Sequence, residues 1–136
     1  MSNAMRLLDT FCGAGGAAVG SDTERAWAAG FFDGEGSVWA YFDKRPGRRP
    51  GIGLQVEQAD IRPLQRFREA IGVKCNITRR PEPRGTSRRR TYRIYLTNSK
   101  ALSALAAMWP WLSEPKQEQF RSALSKVGED RFASIT

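Results

Sequence analysis

The chain has 136 residues and a mass of 15.2 kDa, enough for one hydrophobic core and too little for two. Its net charge of +8 and pI near 10.2 point to a polyanionic partner, nucleic acid before membrane, with a merely solvated basic face as the alternative. The absence of histidine excludes Ser-His-Asp and Cys-His catalysis and the histidine-dependent nuclease designs, so any chemistry must run on carboxylates, Lys, Arg, Gln, Tyr or a carboxylate-held metal.

Two cysteines, Cys12 and Cys75, lie far apart without metal-ligand spacing, which argues against a disulfide scaffold or a zinc site. No apolar run approaches the roughly 20 residues of a membrane span, and no signal-peptide pattern opens the chain. A soluble protein of the cytoplasm is expected. Met1-Ser2-Asn3-Ala4 reads as an expression remnant before a native Met5.

Residues 5–20, rich in Gly and Ala, precede the first regular element. Ser21 and Glu24 form a capping box, so a helix is expected from there through Trp27 to about Gly34. Val38, Ala40 and Phe42 then alternate with Ser37, Trp39, Tyr41 and Asp43, the period of a strand. A basic Pro/Gly stretch at 44–51 makes a hairpin loop, and a second strand follows with Ile52, Leu54 and Val56 inward and Gly53, Gln55 and Glu57 outward. Asp60 caps a second helix whose stripe is Ile61, Leu64, Phe67, Ala70 and Ile71, and Gly72 ends it.

Val73, Cys75 and Ile77 alternate with Lys74, Asn76 and Thr78, predicting a third strand. After a loop at 81–87, Tyr92, Ile94 and Leu96 alternate with Thr91, Arg93 and Tyr95 as a fourth. A helix over 99–109 stops before Pro110. Ser113 caps a last one, with Pro115 in its first turn and Phe120, Leu124 and Val127 inward. The fold class is therefore α+β, in the order α-β-β-α-β-β-α-α, with a largely antiparallel sheet. Helices cover one sheet face. The other carries Trp39, Tyr41, Gln55, Lys74, Arg93 and Tyr95 between arginine-rich loops, a surface suited to a DNA groove.

Ala26, Gly30 and Gly34 recur every four residues on one helix face, a spacing that lets two backbones approach closely. The second backbone could belong to the same domain or to another subunit. Asp33 and Glu35 close this helix against its dipole, at a cost of about 0.3–1 kcal/mol each. Such a broken rule marks a functional position, and a divalent cation would resolve it; a polar turn is the plainer reading.

Residues 28–36, Ala-Ala-Gly-Phe-Phe-Asp-Gly-Glu-Gly, resemble the motif of the LAGLIDADG homing endonucleases, with Ala28 where that family usually has Leu. One copy of the motif implies a homodimer on a near-palindromic double-stranded DNA site, with Ala26, Gly30, Phe31 and Gly34 at the subunit interface. The resemblance implies Glu35 and Gly34 as ligands of Mg²⁺ (or Mn²⁺), whose bound water attacks in line and leaves staggered ends. It continues from Ser21 to Val127. Leu54-Gln-Val-Glu-Gln58 and Arg62 match a Gln-Val-x-Gln segment followed by a basic residue, implying that Gln58 orients solvent and Arg62 contacts phosphate. Pro110 to Gln119 is similar to a Pro-x-Leu…Lys-Gln-x-Gln segment with one or two residues more before the lysine, which implies Lys116 as the active-site lysine. Lys116 also lies in a helix first turn, where a cation is disfavoured.

For DNA contact the candidates are Tyr41, Lys44, Arg45, Arg48, Arg49, Gln55, Lys74, Arg79, Arg80, Arg88, Arg90 and Arg93, the loop arginines on phosphates and the sheet residues on bases. Asp43 and Glu57 on that face could accept from cytosine N4 or pair with arginines.

Leu7-Leu-Asp-Thr-Phe-Cys-Gly-Ala-Gly-Gly16 looks like the first motif of cytosine-5 DNA methyltransferases, but no Pro-Cys nucleophile segment follows. The expectation is a mobile, exon-like leader over 1–20, an endonuclease domain over 21–128 and a frayed tail over 129–136. The reading frame would then sit in an intervening sequence of a methyltransferase gene and act on the uninterrupted allele. The alternatives are an inactive relative that binds DNA or assists intron RNA splicing, and a methyltransferase fragment.

Overall fold

The computed structural model describes residues 19–42, 49–80 and 90–128. Helix α1 (Asp22–Glu35) leads into β1 (Gly36–Tyr41) and β2 (Gly51–Gln58), then α2 (Ile61–Ile71), β3 (Thr78–Arg79) and β4 (Tyr92–Thr97). Helix α3 (Asn98–Met108), a 3₁₀ turn (Trp109–Trp111) and α4 (Glu114–Val127) complete it. The strands form one antiparallel sheet in the order β1-β2-β4-β3. The fold class is therefore the expected α+β, with the expected element order.

The caps follow the sequence. Ser21 Oγ accepts from the Glu24 N–H at 3.2 Å, and Asp60 Oδ1 from the Arg62 N–H at 2.9 Å. Gly72 takes a left-handed φ of 66° and donates to the Arg68 carbonyl, closing α2. Only half of the capping box forms. Glu24 turns away to accept both arms of the Arg66 guanidinium at 2.9 and 3.0 Å, and that guanidinium lies 4.0 Å over the Trp27 ring.

Burial explains the packing. Ile52, Leu54, Val56, Ile94 and Leu96 are buried on one sheet face and meet Ala28, Ala29 and Phe32 of α1, Leu64 and Phe67 of α2 and Leu102 and Leu105 of α3. Helix α3 is buried from Ala101 to Met108, which makes it the central helix. No helix among the described residues is long and apolar enough to cross a membrane. At the start of the domain, Val19 packs against the core and the Gly20 N–H donates to the Ala70 carbonyl at 3.0 Å. The leader before Val19 and the tail after Gly128 lie outside the described residues.

Two sequence expectations fail locally. The third strand is only Thr78–Arg79, because residues 74–77 leave the ladder and the Arg68 guanidinium takes the Cys75 carbonyl at 3.2 Å. Phe42, placed inward by alternation, is 60% exposed, because β1 ends at Tyr41, one residue before it.

The turn from α1 into β1 depends on Gly36. It is buried, and a Cβ there would collide with the ring of Phe32, which is itself fully buried. Gly36→Ala is expected to destabilise the chain by about 1–3 kcal/mol, the usual cost of overpacking. Denaturant unfolding reads this directly, and Gly34→Ala, with open space around its Cβ, is the contrasting variant that leaves the fold intact.

Candidate active site and nucleic-acid interface

The end of α1 meets the start of α4. Asp33 accepts from the Ser113 N–H at 3.1 Å and from the Ser113 hydroxyl at 2.9 Å. Ser113 is the N-cap of α4, and its Oγ accepts in turn from the Lys116 N–H. Asp33 thus sits on the positive end of α4, where a carboxylate is favoured. Lys116 answers in the other direction. Its ammonium donates to the Gly36 carbonyl at 2.6 Å, reaches Gln119 Oε1 at 3.4 Å and lies 5.6 Å over the Phe32 ring. A cation poorly placed in its own helix is well placed on the carbonyl end of another.

Glu35 is the last residue of α1 and the neighbour of Gly36. It is exposed and makes no hydrogen bond or ion pair among the described residues. The register pairs Gly36 with Val56, so Gln58 ends its strand two residues beyond this junction. Gln58 Oε1 accepts from the Ala59 N–H at 3.0 Å. Arg62 is forked onto Asp60, with bonds of 2.6–3.0 Å, and its side chain is 83% exposed. Arg62 lines a basin of about 530 Å³ with Arg79, Arg90 and Tyr92. The structure thus brings Lys116 to the backbone beside Glu35, and places Gln58 and Arg62 at the adjoining end of β2.

On the open sheet face Ser37, Gln55 and Tyr95 form one cross-strand row, and Glu57, Arg93 and Thr78 another. Tyr95 is 45% exposed, and its ring lies 5.9 Å from that of Trp39. Trp39 lies across Gly53, where a Cβ would come within 2.9 Å of the indole, and Tyr41 lies across Gly51. Glycines in β2 therefore let two aromatic rings lie flat on the sheet. Tyr41 is further fixed by Asn98, whose amide donates to the Tyr41 hydroxyl at 3.0 Å and accepts from the Ile52 N–H at 3.2 Å. Asn98 adopts a positive φ of 51°, which Asn tolerates better than most side chains.

Among the other candidates, Arg49, Lys74, Arg79 and Arg90 are exposed and Arg93 packs over the Tyr95 ring at 5.7 Å. Arg80 is held by Glu57 at 2.5 Å, and Glu57 also receives bonds from Thr91 and Gln55. Of the two readings of Glu57, pairing with an arginine is the one the structure shows. Lys44, Arg45, Arg48, Arg88 and Asp43 lie outside the described residues. Along α1, Gly30 and Gly34 are exposed with open space where a Cβ would be, while Ala26 and Phe31 are half-buried, and the Phe31 ring stacks on Trp27 at 5.3 Å. The close backbone approach therefore does not occur on that face within the described chain. The sequence reading missed Asn98 and the bond from Ser113 to Asp33, since neither leaves a local pattern.

The Arg62 fork, with help from the Arg62 N–H, holds the Asp60 carboxyl at about 2, well below its ordinary value. A depressed carboxyl contributes stability above its unfolded pKa and loses it as pH falls through the folded one, so this fork is lost between about pH 4 and about pH 2. An NMR titration of the Asp60 side chain is expected to show this midpoint, and Arg62→Ala to move it up toward the ordinary range.

No family model and no curated protein matches the chain. A solved structure does: the group I intron-encoded homing endonuclease I-CeuI complexed with DNA, at a TM-score of 0.57 and 13% identity. The match covers 85% of this chain and 54% of that one, so the chain spans about half the length of its neighbour. At this identity the likeness concerns the fold, and the fold is that of the LAGLIDADG homing endonucleases.

Proposed function

We propose that this chain is a site-specific, divalent-metal-dependent double-strand DNA homing endonuclease that acts as a homodimer. The observation that carries the reading is the junction of α1 and α4. There a carboxylate without a partner among the described residues, Glu35, stands beside a lysine ammonium fixed at 2.6 Å on the next residue's carbonyl. The shared fold and the cation-rich, aromatic open face support DNA as the substrate.

The residues present suit Mg²⁺ or Mn²⁺, because such ions commonly take one or two carboxylates and complete their shell with phosphate oxygens and water. Glu35 and the Gly34 carbonyl would hold the ion, which supplies an activated water and charge on the leaving oxygen. Lys116 then offsets developing negative charge at the phosphate, and Gln58 orients solvent. Asp33 acts as a positioning residue: through Ser113 it fixes the first turn of α4 and with it the lysine. The stripe of half-buried Ala26 and exposed Gly30 and Gly34 faces the second subunit with Phe31 beside it, which gives two copies of Glu35 and a pseudo-palindromic site. The gene context is an intervening sequence in a methyltransferase gene, in the cytoplasm of a bacterial or phage-infected host.

The test is cleavage of an uninterrupted methyltransferase gene fragment covering the codons for Phe11 to Gly20, with Mg²⁺. Wild type is expected to make one staggered cut and to sediment as a dimer that Gly30→Arg dissolves. Glu35→Gln should bind without cutting, and Lys116→Met should lower kcat by about 10²–10³-fold. Specific binding without a cut by wild type would instead favour the DNA-binding or splicing alternative.

A further inference from the structure

The departure of residues 74–77 from the sheet leaves a cavity of about 970 Å³ beside β4. Arg68, Lys74, Arg93 and Lys100 line it, against a single carboxylate, Glu69. None of the four cations forms an ion pair with a described residue. Among the described residues Arg68 bonds only the Cys75 carbonyl, and Arg93 lies over the ring of Tyr95. Four like charges gathered around one hollow repel one another, and an anion seated there would offset that cost.

The place of this notch in the fold indicates which anion. The basin with Arg62, Arg79 and Arg90 lies at the Tyr92 end of β4, opposite Gln58 of β2, whereas the notch runs from Arg93 to the Thr97 end. Tyr92 lines the basin and its neighbour Arg93 lines the notch, so the two cationic sites follow one another along β4. Tyr95 and Arg93 belong both to the open face and to the notch, so the two surfaces are continuous.

We propose that the notch lined by Arg68, Lys74, Arg93 and Lys100 seats a backbone phosphate of the bound duplex, extending the DNA contact around the β4 edge of the sheet. It rests on the DNA-binding reading above. Arg68 and Lys100 are the contacts it adds. Lys100 occupies the first turn of α3, where a cation is disfavoured, so its removal does not threaten the fold. Cys75 sits half-buried in the same notch, near Arg68 and Lys100, and serves as an internal reporter.

The experiment is fluorescence anisotropy with a labelled duplex of arbitrary sequence over a range of salt, since phosphate contacts do not depend on sequence. Lys100→Ala and Lys74→Ala are each expected to reduce the slope of log Kd against log salt by about 1. Lys126→Ala, an exposed lysine away from the notch, should leave it unchanged. In a Cys12→Ser background, alkylation of Cys75 by a maleimide should slow when the duplex is bound, and inorganic phosphate should not slow it. Unchanged slopes and unchanged alkylation, with duplex binding intact, would overturn the notch while leaving the DNA-binding reading in place. Protection by phosphate alone would reassign the notch to a free anion and overturn the proposal. A wild-type chain that binds no duplex would overturn the underlying reading and the notch with it.

Discussion

Two helix ends, 80 residues apart in the chain, each supply the charge that the other's dipole favours. Asp33 lies at the negative end of α1 and Lys116 at the positive end of α4, so each is unfavourable in its own helix by a few tenths to about 1 kcal/mol. Across the junction both become favourable: the carboxylate accepts from the α4 N-cap, and the ammonium donates to the carbonyl that follows α1. Each bond is charge-assisted and partly shielded from water, the circumstances in which such bonds contribute most. The small side of this junction is Gly36, which leaves room for Phe32 beneath.

Three charges in this region oppose their own helix dipoles, and the chain answers two of them. Glu35 is left exposed beside the fixed lysine. A structural explanation therefore covers Asp33 and the placement of Lys116, and stops at Glu35. That remainder is what separates a helix junction built for stability from one built to meet a ligand. The open sheet face has the same character. Gly51 and Gly53 let Tyr41 and Trp39 lie flat, while cations collect at the two ends of β4.

Much of this was legible in the sequence because it is written in local rules. Ser21, Asp60 and Ser113 cap the helices they were expected to cap, and Gly72 ends α2. Alternation placed the inward residues of β2 and β4 correctly because both strands have a partner on each side. It failed at Phe42, past the end of an edge strand, and at residues 74–77, where a side chain competes for a backbone carbonyl. Periodicity reports a pleat and cannot report what displaces it. The site was half legible. Glu35 and Lys116 stood out as charges breaking a local rule, whereas the bond from Ser113 to Asp33 and the grip of Asn98 on Tyr41 arise only from tertiary contact. Arg62 shows the converse: sequence reads a free cation, and the structure gives it a carboxylate two residues away.

We propose that the α1–α4 junction assembles the catalytic pair, with Asp33 acting through Lys116. A double-mutant cycle of Asp33→Ala and Lys116→Met, read in single-turnover cleavage with folding checked for each variant, tests it most directly. Strong non-additivity is expected: once the lysine is gone, removing Asp33 costs little further rate. Additive losses, or a slow Asp33→Ala enzyme beside a Lys116→Met enzyme of undiminished rate, would contradict it.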